Sequence, residues 1–168
     1  MEKRTLVVVL FIALAFRFGA IWYVQDRLKA DWERDFVIAG DAAGYWELAV
    51  NLAAGKPYEL YTPPRRAMRT PGFPLFLAAV IKIFGKSHLA ARIATAIVGT
   101  ATVGAVYLLG RELLDHPTGI LAACLTAISP QAVGTSAMLL TETLFSLLIV
   151  LSLWLVARWM NKSDNQSF

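Results

Sequence analysis

Long apolar runs separated by short charged joints dominate this chain, and one longer polar stretch interrupts them. Thr5 to Val24 is twenty residues with a single charge, Arg17. At ~1.5 Å per residue it covers about 30 Å, the depth of a bilayer core. A signal peptide is the rival reading, because "ALA" (Ala13 to Ala15) resembles a cleavage site. The apolar run continues past it through "IWYV", so the pattern predicts an uncleaved anchor. His88 to Leu109 is a second predicted span. Ala91, Thr95 and Gly99 recur on one of its faces, and Ala96, Thr100 and Gly104 on another. Small faces let membrane helices approach closely, which places this helix between neighbours. Thr118 to Gly134 is a third, shorter span with Ser129 and Pro130 near its end, and Ser136 to Ala157 is the fourth. The remaining 161–168, "NKSDNQSF", reads as a polar, disordered tail.

Two shorter helices are predicted inside the polar stretch. In "GDAAGYWELAVNLAAGKPY" Asp41 suits the N-cap, where its carboxylate accepts from free backbone N–H groups. Tyr45, Leu48, Ala49 and Leu52 follow at helical spacing. Gly55 suits the position past the helix end, and Pro57 forbids continuation. "PGFPLFLAAVIKIFG" is the second, with Pro71 and Pro74 in its first turn and Gly85 as its stop. Both are short for a span and read as interfacial or re-entrant. The expected fold class is an all-α membrane protein: four transmembrane helices (5–24, 88–109, 118–134, 136–157) and two short interfacial helices in a first outer loop, 25–87.

Composition agrees. Of 168 residues 57% are hydrophobic and 17% charged, and the mean hydropathy is +0.56; a soluble domain is less apolar and more charged. The net charge of +4 could suggest nucleic acid, but the basic residues sit at the ends of apolar runs and form no stripe, which argues against it. Cys124 is the one cysteine, so no intrachain disulfide can form. Lys3 and Arg4, "RELLDH", and Arg158 with Lys162 fall on one side if four spans alternate. The positive-inside rule makes that side, with both termini, cytoplasmic.

Arg65, Arg66 and Arg69 lie close together in a proline-stiffened loop between the two short helices. Guanidinium forks match phosphate oxygens, so a phosphate-bearing ligand suits this loop; lipid headgroups would suit it equally. Arg17 and Arg92 fall towards the outer ends of their spans. They can add to an anion site or snorkel to the interface. Glu142 lies six residues inside its predicted span, ~9 Å deep. Carboxylates at such depth are costly and functional by default, with a structural bridge to Arg17 or Arg92 as the rival reading.

The order of "GDAAGYWELAVNLAAGKPY", "RTPGFPLFLAAVIKIFG" and "ISPQAVGTSAMLLTETLFSLLIVLSLWL" resembles the N-terminal part of the GT-C membrane glycosyltransferases. The nearest resemblance is to protein O-mannosyltransferases and lipid A aminoarabinose transferases, which implies the bacterial cytoplasmic membrane and glycan or lipopolysaccharide synthesis. It also implies transfer of a sugar from a polyprenyl-phosphate donor at the outer face. By motif, Asp41 matches the family's catalytic acidic residue of the first outer loop, a general base for an acceptor hydroxyl. Glu142 matches a second acidic residue of some members. Arg69, then Arg65 and Arg66, would hold the leaving phosphate; a divalent metal is the other way to do so. Family members continue through further spans, so the resemblance implies that a second chain would supply C-terminal spans. The alternative is a truncated, inactive membrane protein that binds lipid or a partner. A small transporter resting on Glu142 and the arginines is a third possibility.

Overall fold

The computed structural model describes residues 2–30, 34–66 and 68–164. Seven helices and one small hairpin appear among them: α1 (Glu2–Ala30), α2 (Ala39–Ala53), β1 (Glu59–Leu60), β2 (Arg65–Arg66), α3 (Gly72–Phe84), α4 (His88–Leu113), α5 (His116–Ile128), α6 (Pro130–Ala137) and α7 (Thr141–Asp164). β1 and β2 pair antiparallel, with Glu59 opposite Arg66. The chain is an all-α membrane protein. α1, α4 and α7 are each long and apolar enough to cross a bilayer, and α5 with α6 would form a fourth crossing bent by 53°.

α4 is the hub of the bundle, packing on α1, α5, α6 and α7. α1 runs antiparallel to it: Gln25 meets Arg92 at the start of α4, Arg17 lies beside Gly99, and Leu10 lies beside Gly104. α5 and α6 run back along α4, and α7 runs parallel to it, its Asn161 bonded to Glu112 at the far end. The predicted small-residue faces are used here: Ala91, Thr95, Ala96 and Gly99 are all buried. At the α4–α5 turn the backbones touch; a Cβ on Gly110 would stand 2.9 Å from the Gly119 Cα. Lipid is as apolar as leucine, so such close packing, not hydrophobicity, holds membrane helices together.

Five sequence expectations are corrected. The third span is not one helix over 118–134. It breaks at Ser129, whose Oγ accepts from the Ala132 N–H at 3.4 Å and caps α6, with Pro130 opening the new helix. The fourth span starts at Thr141 rather than Ser136, because Ser136 and Ala137 finish α6 and Leu139 turns with φ 57°. The first helix continues past Val24 to Ala30, and the last reaches Asp164, so part of the predicted tail is helical; 165–168 lie outside the described residues. Asp41 is not an N-cap. α2 starts two residues earlier, Ile38 holds the cap position without a side-chain bond, and Asp41 sits in the first turn. A carboxylate there still faces the positive end of the helix dipole.

α2 and α3, the two short helices expected in the lipid interface, pack on each other and over one end of the bundle. Ala42, Ala49, Phe73, Leu77, Ala78 and Ile81 form one core with Ala91 of α4 and with Leu139 and Leu140 of the α6–α7 turn. The stop signals behave as read from the sequence: Gly55 follows the α2 cap with φ 69°, and Gly85 caps α3 with φ 77°. Both values are costly for any residue with a Cβ.

Candidate functional site

The cap formed by α2, the hairpin and α3 brings Asp41 and Arg69 together. The Asp41 Oδ1 lies 2.5 Å from an Arg69 terminal nitrogen, the Asp41 side chain 54% exposed and that of Arg69 21% exposed. The Arg69 guanidinium also lies over the Tyr45 ring, 4.9 Å from its centre. Tyr45 is four residues beyond Asp41, hence on the same face of α2, and Phe73 of α3 meets its ring edge-on at 5.5 Å. From the other side the Tyr58 hydroxyl donates to the Arg69 carbonyl at 3.0 Å. Asn51 of α2 donates to the Glu59 carbonyl at 3.3 Å, which fastens the hairpin to the helix. Gly44 leaves the space: its would-be Cβ is 3.6 Å from the Arg69 Nε.

Burial lowers the pKa of Arg69, but its hydrogen bonds to Asp41 and Tyr45 outweigh this and raise it above the ordinary arginine value. The guanidinium is therefore a permanent cation set against the Asp41 carboxylate. The Arg69 Nε is buried and has no partner. One donor of a charged fork is thus left over at a half-open site. That arrangement can receive an anionic oxygen beside a carboxylate able to take a proton.

The other predicted site residues are placed differently. Arg65 and Arg66 stand exposed on β2; Arg66 pairs with Glu59 at 3.5 Å, and Arg65 lines an open cavity of about 290 Å³ with Tyr61, Thr62 and Pro63. Arg92 neither snorkels nor faces solvent; it is 2% exposed. Its nitrogens donate to the Ala137 carbonyl (3.2 Å), the Gln25 Oε1 (2.6 Å) and the Asp35 carbonyl (2.7 Å). With Thr95, which donates to the Ser136 carbonyl at 2.6 Å, it satisfies the carbonyls left free at the end of α6. Arg17 is 1% exposed and donates to the Ala13 carbonyl of its own helix at 2.9 Å. Glu142 is not buried six residues deep. It lies exposed in the first turn of α7 and accepts from the Thr141 hydroxyl at 3.4 Å. No bridge from Glu142 to Arg17 or Arg92 is present among the described residues.

Sequence reasoning overlooked the support around Arg69. Tyr45 was read as part of an apolar stripe, and Tyr58 and Gly44 carried no role. The available signal was the four-residue spacing of Asp41 and Tyr45. For a divalent metal, the described residues gather no three His, Cys, Asp or Glu side chains in one place. The donor set at Asp41 is one carboxylate with a guanidinium on it. These residues alone do not fit a divalent ion.

A family model described as dolichyl-phosphate-mannose-protein mannosyltransferase matches residues 68–168. Arg69, Arg92 and Glu142 lie within the match; Arg17, Asp41, Arg65 and Arg66 precede it. No curated protein and no solved structure matches the chain. With most of its length matched and its apolar helices in place, the chain belongs to the dolichyl-phosphate-mannose-protein mannosyltransferase family of membrane glycosyltransferases, whose sugar donor is carried on a polyprenyl phosphate.

Proposed function

We propose that this chain carries the reaction-centre loop of a glycosyltransferase that moves a sugar from a polyprenyl-phosphate donor to an acceptor hydroxyl at the outer membrane face. The Asp41–Arg69 pair is the observation that supports it. In this reading Arg69 first holds the Asp41 carboxylate in place. When the donor binds, the free Nε and then the terminal nitrogens turn to its phosphate oxygens. The acceptor oxygen attacks the anomeric carbon and its proton passes to the Asp41 carboxylate. The bond from the anomeric carbon to the phosphate oxygen breaks, and polyprenyl phosphate leaves with the electron pair, its charge held by Arg69. Exposed Arg65 and Arg66 are suited to attracting the donor headgroup. Arg17 and Arg92 are assigned no contact with the donor, because both are buried among helices.

The orientation belongs to the same reading. The helix ends that carry Lys3, Arg4, Arg111, Arg158 and Lys162 lie opposite the cap, and the positive-inside rule supports a cytoplasmic assignment for that end with the cap outside. The test is reconstitution of the full chain in proteoliposomes with a labelled polyprenyl-phosphate sugar and a hydroxyl acceptor. Transfer that falls sharply in Asp41→Asn is expected. Failure of the chain to bind the donor at all would sink the proposal.

A second reading is a non-catalytic relative that binds lipid or a partner subunit. It is favoured by one observation, the start of the family match at residue 68, which leaves Asp41 outside it. Donor binding that persists without transfer, and that needs Arg69 but not Asp41, would select it.

A further inference from the structure

Arg17 presents a charge that nothing in its surroundings neutralises. It sits within the α1 span, 1% exposed, and no carboxylate pairs with it among the described residues. Its one hydrogen bond among the described residues is to the Ala13 carbonyl, and its Nε has no partner. On the far side of a small cavity stands a second orphan. Thr143 is 5% exposed, and its Oγ1 is also without a partner. The reason is local: a threonine in a helix ordinarily donates to the carbonyl four residues back, as Thr102 and Thr126 do. Thr143 is only the third residue of α7, and the residue four back is Leu139, which has left the helix with φ 57°. Arg17, Gly99, Thr102, Thr126, Thr135, Thr143 and Ser146 line this cavity together, and its volume is about 30 Å³.

We propose that this cavity is a binding site for a single monatomic anion of the halide class, held by the Arg17 Nε–H and by the Thr143 and Ser146 hydroxyls. The volume exceeds the ~10–15 Å³ that one water-sized occupant needs and excludes a phosphate or a carboxylate-bearing metabolite. The protons of Thr102, Thr126 and Thr135 already go to carbonyls of their own helices. The unspent donors at the cavity are thus those of Arg17, Thr143 and Ser146. A water there would fill the space and leave the guanidinium charge uncompensated, whereas a halide satisfies the donors and the charge together. The site lies apart from the Asp41–Arg69 pair and does not depend on the proposed reaction.

The test uses the full chain in nanodiscs, with chloride exchanged for gluconate at constant ionic strength while thermal unfolding is followed. Chloride and bromide should each raise the unfolding midpoint saturably, with about a tenfold gain in the folding constant at ten times the Kd. Thr143→Val keeps the side-chain shape and removes one donor, and should weaken halide affinity about 5- to 10-fold. Bromide should give an anomalous scattering peak within hydrogen-bond distance of the Arg17 Nε. Arg17→Gln should abolish the response; if that variant does not fold, Thr143→Val decides. A midpoint indifferent to halide, a response unchanged in Thr143→Val, or an ordered water in the cavity at high bromide would each overturn the proposal.

Discussion

The Asp41 carboxylate and the Arg69 guanidinium meet at 2.5 Å across two elements, the first turn of α2 and the loop ahead of α3. The pair is half exposed, so its contribution to stability is small, within about 1 kcal/mol. Its contribution to chemistry is expected to be much larger. Asp41→Asn should leave the unfolding midpoint almost unchanged while lowering sugar transfer by about 10²- to 10⁴-fold. Full transfer in that variant would remove Asp41 from the base role.

Arg69→Lys keeps the charge and loses the fork and the stacking on Tyr45. Donor binding, measured by displacement of a labelled polyprenyl phosphate, should weaken about tenfold, and Arg69→Ala further. If Arg69→Lys binds as the native chain does, the fork geometry has no role in phosphate recognition.

Gly99 is the point where α4 yields to Arg17. A Cβ there would clash with the Ser136 hydroxyl and stand 2.7 Å from the Arg17 Nε. Gly99→Ala should destabilise the bundle by about 1–3 kcal/mol, the usual cost of overpacking. Gly19→Ala, where a Cβ would meet nothing within 4 Å, is the matched control and should be neutral or stabilising. Equal melting of the two variants would contradict close packing of Gly99 on Arg17 and Ser136.

Arg92 ties three segments through its three nitrogens, and removing it strands the Ala137 and Asp35 carbonyls. Each stranded acceptor costs about 1–3 kcal/mol. Arg92→Gln is expected to lower stability by several times the effect of Asp41→Asn, and to expose the α6–α7 turn to proteolysis. Native protease resistance in that variant would show that the carbonyls find other donors.

Asp115 caps α5 by accepting from the Thr118 N–H at 2.8 Å. Hydrogen bonds from Thr118 hold its pKa below the ordinary carboxylate value of 3.8. The sign follows: its stabilising contribution is full above 3.8 and is lost as pH falls through the lower folded value. Arg69, with its pKa raised, contributes fully at every pH below the ordinary arginine range. Neither group should move stability between pH 5 and 9. Hydrogen exchange at the start of α5 should quicken only in strong acid, and Asp115→Asn should remove that acid dependence.

Local signals in the sequence were read well. Gly55, Gly85 and Pro74 act on neighbours a few residues away, and the small faces of α4 follow from helical period alone. Ser129 and Pro130 were seen, but their consequence was not. A serine that caps and a proline that starts make a break, and the break shifts the next helix by five residues. That shift moved Glu142 from the apparent depth of a span to its exposed first turn. Arg17 and Arg92 were misjudged for another reason. The groups around them belong to α6, to the Asp35 segment and to the start of α7, and no spacing along the chain places those carbonyls and hydroxyls. The Asp41–Arg69 pairing was inferred as a shared role, whereas the contact depends on how α2 and α3 pack.

The touching glycines at the α4–α5 turn bear on the order in which the protein is assembled. Gly110 and Gly119 sit on either side of a two-residue joint, Leu114 and Asp115. Both partners of this contact leave the ribosome almost together, so the α4–α5 hairpin can close while α7 is still unmade. α1 has no such neighbour in time. Its buried arginine waits in the membrane through the synthesis of the whole cap before Gly99 arrives to receive it.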